Sequence, residues 1–209
     1  MAGPLKKAFV QQFRQPSGVL GALAGRMMAR KNQERIRWAV RETNIQPGER
    51  VLEIGHGPGV ALQEIISQIP DCKVTGIDPS AVMYAQARRR NRKGIEENRI
   101  RLCVVAAESY KGEDGPFDLI FAINVLSFCT DPSAVVEKTA SWLKPGGRLV
   151  IVHQVPMKAV EEAVIDAREA EFCAWMTQAG LQIARRERMP ARPNPVLFIE
   201  GIDEARCRT

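Results

Sequence analysis

The sequence predicts an α/β protein with a mostly parallel sheet covered by helices on both faces. Three observations carry this. Apolar runs of strand length alternate with segments of helical periodicity from Arg50 to His153, the rhythm of strand–helix–strand units whose crossovers build parallel sheets. The runs Arg101 to Val105 and Phe117 to Ile123 are near-continuous in apolar residues, as strands buried on both faces are. Finally, 209 residues and 23.2 kDa suit one domain with a substantial core. The expected division is an N-terminal helical cap over residues 1–46 and a core over residues 47–209.

The first dozen residues read as a loosely packed arm. Leu20, Leu23 and Met27 then form a stripe at helical spacing, with Ser17 as N-cap. A second helix starts at Asn32, places Ile36 and Val40 on one side, and ends before Pro47-Gly48. Arg50 to Ile54 reads as a strand, Val60 to Ser67 as a helix, Lys73 to Ile77 as a strand and Ser80 to Arg90 as a helix. Asp131 caps a helix beginning at Pro132, with Val135, Val136, Thr139 and Trp142 inward. Pro145-Gly146-Gly147 reads as a turn before the strand Arg148 to His153.

A long helix is expected from about Lys158 to Gln178, with Val160, Val164, Ala167, Ala170 and Ala174 on one face and Gly180 as its stop. Leu181 to Arg188 and Val196 to Gly201 are the last strands, joined closely enough through Pro190 to Pro195 to be antiparallel.

Composition removes several classes of function. Hydrophobic residues at 45% and charged residues at 26% exclude a disordered or fibrous chain. No apolar run approaches the roughly 20 residues needed to cross a bilayer, and the polar start of the chain predicts no export. Cys72, Cys103, Cys129, Cys173 and Cys207 are scattered and odd in number, against a disulfide scaffold or a cysteine zinc site. With His56 and His153 the only histidines, no metal centre is expected, and the setting is a reducing cytoplasm. The net charge of +6 permits an acidic partner without naming one. Its densest run, Arg88 to Lys93, sits at a helix C-terminus expected across the sheet from the ligand-binding rim, where arginines complement the helix dipole.

The most informative stretch is Val51-Leu52-Glu53-Ile54-Gly55-His56-Gly57-Pro58-Gly59. A buried strand delivers Glu53 near its carboxyl end, and three glycines then turn the chain into a helix, allowing close approach of backbone to a ligand. Asp78 follows the second strand, placed to accept from both hydroxyls of a ribose or to cap the helix near Ser80, roles that can coexist. A dinucleotide turn would read Gly-x-Gly-x-x-Gly and use the helix N-terminus for a pyrophosphate. Here the third glycine comes one residue early and Glu53 adds negative charge, disfavouring NAD. No Gly-Lys-Ser/Thr follows, so there is no P-loop.

These residues, with Ala107-Glu108, Asn124 and Leu143-Lys144-Pro145-Gly146-Gly147 in order, resemble the class I S-adenosylmethionine-dependent methyltransferases, particularly the bacterial small-molecule group related to ubiquinone/menaquinone-type methyltransferases. The resemblance covers about Pro47 to Gly201 and implies a Rossmann-like, seven-stranded sheet with an antiparallel last strand. It implies S-adenosylmethionine as cofactor, with Gly55, Gly57 and Gly59 passing under its methionyl portion and Glu53 meeting its amino group. Asp78 would bind the ribose, Pro79 would lie near the adenine, and Ala107 and Glu108 would meet the adenine edge. The carbonyl of Asn124 would hold the methionyl ammonium. An acidic lining suits a ligand carrying a sulfonium and an ammonium and no phosphate.

The segments Phe13 to Gly18 and Met27 to Asn32 also resemble the start of that subgroup, where helices close over cofactor and substrate. Arg14 or Arg30 is then a candidate partner for a carboxylate, with solvent-facing charge the alternative. Met27 and Met28 are cap candidates or core packing. Tyr110 lines the acceptor pocket or covers the sheet edge.

Methyl transfer from a sulfonium is an in-line displacement with a neutral leaving group, so alignment and exclusion of water are the main tasks. A base is needed only if the acceptor must lose a proton. His153, ending strand five, is the base candidate, with a wall or core histidine as the alternative. His56, inside the glycine turn, is expected close to the cofactor, contacting it in a structural or orienting role and not as a base. The expected acceptor is a small or lipid-like molecule. Phospholipid or RNA methylation and non-catalytic cofactor binding are the alternatives. Asn124-Val125-Leu126-Ser127 lacks the Asn/Asp-Pro-Pro-Tyr/Phe run of amino-methylating nucleic-acid enzymes, and no stable nucleic-acid complex is expected. Transient membrane contact through the amphipathic N-terminal helix, and a monomer or homodimer, complete the expectation.

Overall fold

The computed structural model describes residues 33–155 and 158–204. The expected Ser17 to Met27 helix, with Arg14, Met27, Met28 and Arg30, lies outside the described residues, as does Cys207. In chain order the elements are α1 (33–42), β1 (Arg50–Ile54), α2 (Val60–Gln68), β2 (Lys73–Asp78), α3 (Ala81–Arg90), α4 (Arg92–Glu96), β3 (Ile100–Val104) and β4 (Phe117–Ile123). A 3₁₀ turn (Leu126–Phe128), α5 (Pro132–Ala140), β5 (Leu143–Gln154), α6 (Glu162–Gln178), β6 (Gln182–Met189) and β7 (Val196–Ile202) follow.

The seven strands form one sheet in the order β3-β2-β1-β4-β5-β7-β6. β1 with β4, β2 with β3, and β4 with β5 are parallel, while β7 runs antiparallel to both β5 and β6. This is the Rossmann-like, mostly parallel sheet with an antiparallel last strand that the sequence predicts. The elements divide into two compact units: α1 with Gly55–Tyr110, and Glu49–Ile54 with everything from Lys111 onward.

In the first unit, α2 buries Val60, Ala61, Leu62 and Ile65, and α3 buries Met83 and Ala87. Ser80 caps α3, its hydroxyl accepting from the Met83 amide at 3.3 Å. Arg99 donates to the carbonyls of Ile66 (3.2 Å) and Ile69 (2.5 Å), satisfying acceptors that the end of α2 would leave open. Arg37 pairs with Glu64 at 3.4 Å and ties α1 to α2. The short helix α4 is not anticipated from the sequence, because five residues with a central glycine carry no readable period. Gly94 is required there by packing, since a Cβ would lie 2.8 Å from Ile100 Cδ1.

In the second unit, Asp131 accepts from the Ala134 amide at 3.0 Å and Pro132 opens α5, as the sequence predicts. Pro145-Gly146-Gly147 is not a turn preceding a strand. β5 already begins at Leu143, and its register with β4 shifts between Phe117↔Leu143 and Leu119↔Arg148. The glycines absorb this irregularity: a Cβ on Gly147 would lie 2.8 Å from the Lys144 carbonyl, and the Gly146 amide donates to Asp203 O at 2.8 Å.

The inward face of α6 also differs from expectation. Ile165, Phe172 and Met176 are buried, whereas Val164, Ala167, Ala170 and Ala174 are exposed. Larger side chains remove more apolar surface from water, so they take the core in preference to alanines at equally good spacing. Arg188 on β6 pairs with Asp166 and Glu169 of α6. β6 is an edge strand carrying Arg185, Arg186, Glu187 and Arg188, charges that oppose strand addition. No helix of the described residues is long and apolar enough to cross a membrane.

Candidate functional site

The glycine turn is fastened to the end of β2 by its own backbone. The amides of Gly55 and His56 both donate to the Ile77 carbonyl, at 2.8 and 3.2 Å. Gly55 (φ 73°), Gly57 (φ 49°) and Gly59 (φ 73°) are all left-handed, a conformation open to glycine at little cost. The Gly57 amide donates to Asp78 Oδ2 at 2.9 Å, and the Ser80 amide to Asp78 Oδ1 at 2.8 Å. Asp78 is buried at 8% exposure. Each of its oxygens accepts one bond in this arrangement and keeps a second lone-pair direction, so the carboxylate can still accept from a diol. It orders the turn and the entry to α3 at once.

The glycines differ in their surroundings. A Cβ on Gly57 would meet nothing within 4 Å, whereas one on Gly59 would lie 2.5 Å from Asn91 Nδ2 and 2.8 Å from Ala87 Cβ. Gly57 borders open space and Gly59 is a close-packing position. Buried Asn91 donates to the carbonyls of Gly59 (2.9 Å) and Ala87 (3.0 Å). The end of α3 therefore rests on the glycine turn, not across the sheet from it as the sequence reading expected. Asn91 was missed because, within a run of arginines, one asparagine carries no pattern.

His56 is buried at 3% exposure, over Gly76 of β2. Its Nδ1 lies 2.7 Å from the Gly57 carbonyl, so this nitrogen carries the proton and donates, while buried Nε2 has no partner among the described residues. Burial holds the imidazole below its ordinary pKa, against the opposing pull of Asp78 and the backbone. The ring thus braces the turn from inside. The Val105 amide donates to Asp78 O at 3.2 Å and leads into the turn holding buried Ala107 and exposed Glu108. Gly55, His56, Gly57, Gly59, Asp78, Pro79, Ala107 and Glu108 thus belong to one unit. Tyr110, its last residue, is buried at 3% exposure.

The other predicted residues belong to the second unit. Glu53 is 4% exposed and paired in register with Phe121. Asn124 is left-handed (φ 56°), which asparagine tolerates better than most residues. Its amide donates to Val152 O and its Oδ1 accepts from the Gln154 amide, both at 2.8 Å, so its side chain fastens the exit of β4 to the end of β5. His153 is 3% exposed, and its ring meets Phe172 of α6 edge-on at 5.1 Å and 74°. That contact seats the ring against α6.

Asn194 is the residue that the sequence did not announce. Buried at 2% exposure, it donates to the carbonyls of Val155 (3.0 Å) and Lys158 (3.1 Å) and accepts from the Val160 amide (3.0 Å). Its own carbonyl accepts from Gln154 Nε2 at 2.5 Å. It holds the connection leaving β5. The sequence signal is an asparagine between two prolines, which reads only as a turn.

Residues 51–147 match the family described as "Methyltransferase domain". The chain is 29% identical over 132 residues to the "Uncharacterized methyltransferase YdaC" of Bacillus subtilis, covering 63% of this chain and 71% of that protein. It is 31% identical over 157 residues to the "Ubiquinone biosynthesis O-methyltransferase" of Xylella fastidiosa, covering 65% of this chain and 62% of that protein. The chain thus spans less than two thirds of the ubiquinone relative's length. Among solved structures, the magnesium protoporphyrin IX methyltransferase of Synechocystis with bound SAM superposes with a TM-score of 0.65 at 18% identity, covering 92% of this chain and 90% of that one, a likeness of fold. Over residues 51–147 the chain is thus similar to methyltransferase domains, and it shares its fold with solved methyltransferases.

Proposed function

We propose that this protein transfers the methyl group of S-adenosylmethionine to a small-molecule or lipid-like acceptor. The observation that carries the reading is the Asp78 carboxylate held beside the left-handed glycine turn by the Gly57 amide, with open space at Gly57. The residues fit the cofactor's chemistry: a carboxylate with free lone pairs for a ribose diol, and a turn with open space at Gly57. Glu53 and Asn124 are further proposed contacts for its ammonium, Pro79, Ala107 and Glu108 for its adenine. When bound, S-adenosylmethionine supplies a methyl group on a sulfonium, whose departure leaves a neutral thioether. What the chain must then do is orient the donor and keep water away. Relatives named for ubiquinone biosynthesis and for trans-aconitate support an acceptor of modest size.

His153 is the proposed base where the acceptor must lose a proton. A cytoplasmic setting, a monomeric or homodimeric state and transient membrane contact belong to the same proposal.

Calorimetry with S-adenosylmethionine, S-adenosylhomocysteine and NAD tests the donor. The first two should bind and NAD should not. An acceptor screen with the radiolabelled methyl donor then tests transfer, and binding without turnover on any acceptor would assign a non-catalytic role. His153→Phe, which keeps the edge contact with Phe172, should flatten the pH profile of turnover if His153 is the base, and leave it unchanged if the ring is a wall.

A further inference from the structure

The helix pair α3–α4 carries Arg88, Arg89, Arg90, Arg92 and Lys93 within six positions. Dipole complementarity accounts for arginines in the last turn of α3, yet not for the shape they surround. Asn91 departs from helical geometry between the two helices (φ −105°, ψ 23°), and its side chain is drawn inward to Gly59 and Ala87. Gly94 packs tightly on Ile100 just beyond. The bend is therefore fixed by packing on both sides of Asn91. Met83, Ala87 and Asn91 occupy the inward stripe, so Tyr84, Arg88 and Arg92, each one position later at the same four-residue spacing, form a neighbouring stripe about 100° round the helix.

That stripe borders a groove of about 430 Å³ lined by Tyr84, Arg88, Arg89, Arg92, Ile95 and Glu96. Glu96 is the one carboxylate, paired loosely with Arg92 at 3.7 Å with both side chains largely exposed. Among the described residues neither Arg88 nor Arg89 is in an ion pair, so the groove holds a surplus of positive charge around the half-buried Tyr84 and Ile95. Guanidinium groups bind phosphate oxygens through paired N–H donors, and the volume is that of a small-molecule site. A nucleic acid would need a longer basic track interleaved with aromatic side chains.

We propose that this groove binds a small phosphate monoester with a flat or apolar body. Arg88, Arg89 and Arg92 take the phosphate, and Tyr84 and Ile95 take the body. No residue of the glycine turn lines the groove, and binding there does not depend on the proposed methyl transfer.

The test is calorimetric titration at fixed ionic strength with phenyl phosphate, inorganic phosphate and phenol, on protein with and without saturating S-adenosylhomocysteine. Phenyl phosphate should bind saturably and about tenfold more tightly than inorganic phosphate, with phenol not binding. R88A/R92A should weaken phenyl phosphate by at least about tenfold while lowering the thermal midpoint only slightly, by the lost helix-dipole complement and the exposed Arg92–Glu96 pair. Y84A should weaken phenyl phosphate and spare inorganic phosphate. Undiminished binding in R88A/R92A, or equal affinity for the two phosphates, would overturn the proposal. So would displacement by S-adenosylhomocysteine, or arginine-dependent retention seen only on an RNA duplex or on vesicles containing phosphatidylglycerol. Failure of the methyl-donor reading would appear in the S-adenosylhomocysteine titration alone, so the two outcomes are separable.

Discussion

The Asp78 carboxylate accepts the Gly57 amide at 2.9 Å through one oxygen while its other oxygen accepts the Ser80 amide at 2.8 Å. One buried side chain thereby sets the glycine turn and the start of α3 in a single arrangement, before any ligand arrives. Asp78→Ala should lower S-adenosylmethionine affinity at least about tenfold and also reduce stability, because two amides lose a charged acceptor. Asp78→Asn, which keeps one acceptor oxygen, should recover stability more fully than affinity. Calorimetry and chemical denaturation on the pair separate ordering the turn from meeting the ligand.

Gly57 and Gly59 should respond differently to alanine. Both have positive φ, for which an L-residue costs about 1–2 kcal/mol. Gly57→Ala places its methyl in open space, so stability should fall by little more than that while donor binding is lost. Gly59→Ala drives a methyl against Asn91 and Ala87 and should cost a further 1–3 kcal/mol or so. Denaturant midpoints beside binding isotherms give both quantities.

His56 makes stability depend on pH in a defined direction. Burial lowers its folded pKa, so below the ordinary imidazole value of about 6.5 the unfolded chain takes up a proton that the folded chain refuses. Its contribution is complete above that value and diminishes as pH falls toward the folded pKa. Denaturation between neutrality and mildly acidic pH should show this slope in the native protein and a shallower one in His56→Gln. An equal slope in both would remove His56 as its source.

Asn194→Ala should cost about 2–3 kcal/mol by stranding the Val160 amide and the carbonyls of Val155 and Lys158. Hydrogen exchange should accelerate at Val160 well before it does at the β4–β5 ladder. Uniform acceleration across the fold would show that Asn194 supports global stability and not this connection.

The strands, the alternation and the glycine turn were legible from residue order because they rest on local physics. Apolar runs of strand length, Asp131 before Pro132 and three glycines after Glu53 each limit the backbone within a few residues. The same locality made Asp78 readable, since a strand ending in a carboxylate before a cap has few arrangements. The inward face of α6 was not legible, because its alanine stripe and its Ile165–Phe172–Met176 stripe both keep helical spacing. Which one is buried depends on the surface that the neighbouring elements offer.

Asn91 and Asn194 show the same division at the level of single side chains. Each joins segments far apart in sequence, Gly59 to the end of α3 and the Pro-rich connection to the exit of β5. Residue order determined where strands, turns and acidic groups fall, because φ/ψ preference and hydrophobic period act over a few residues. Tertiary structure alone decided which polar groups are buried together, because a buried amide must find its partner wherever packing has left one.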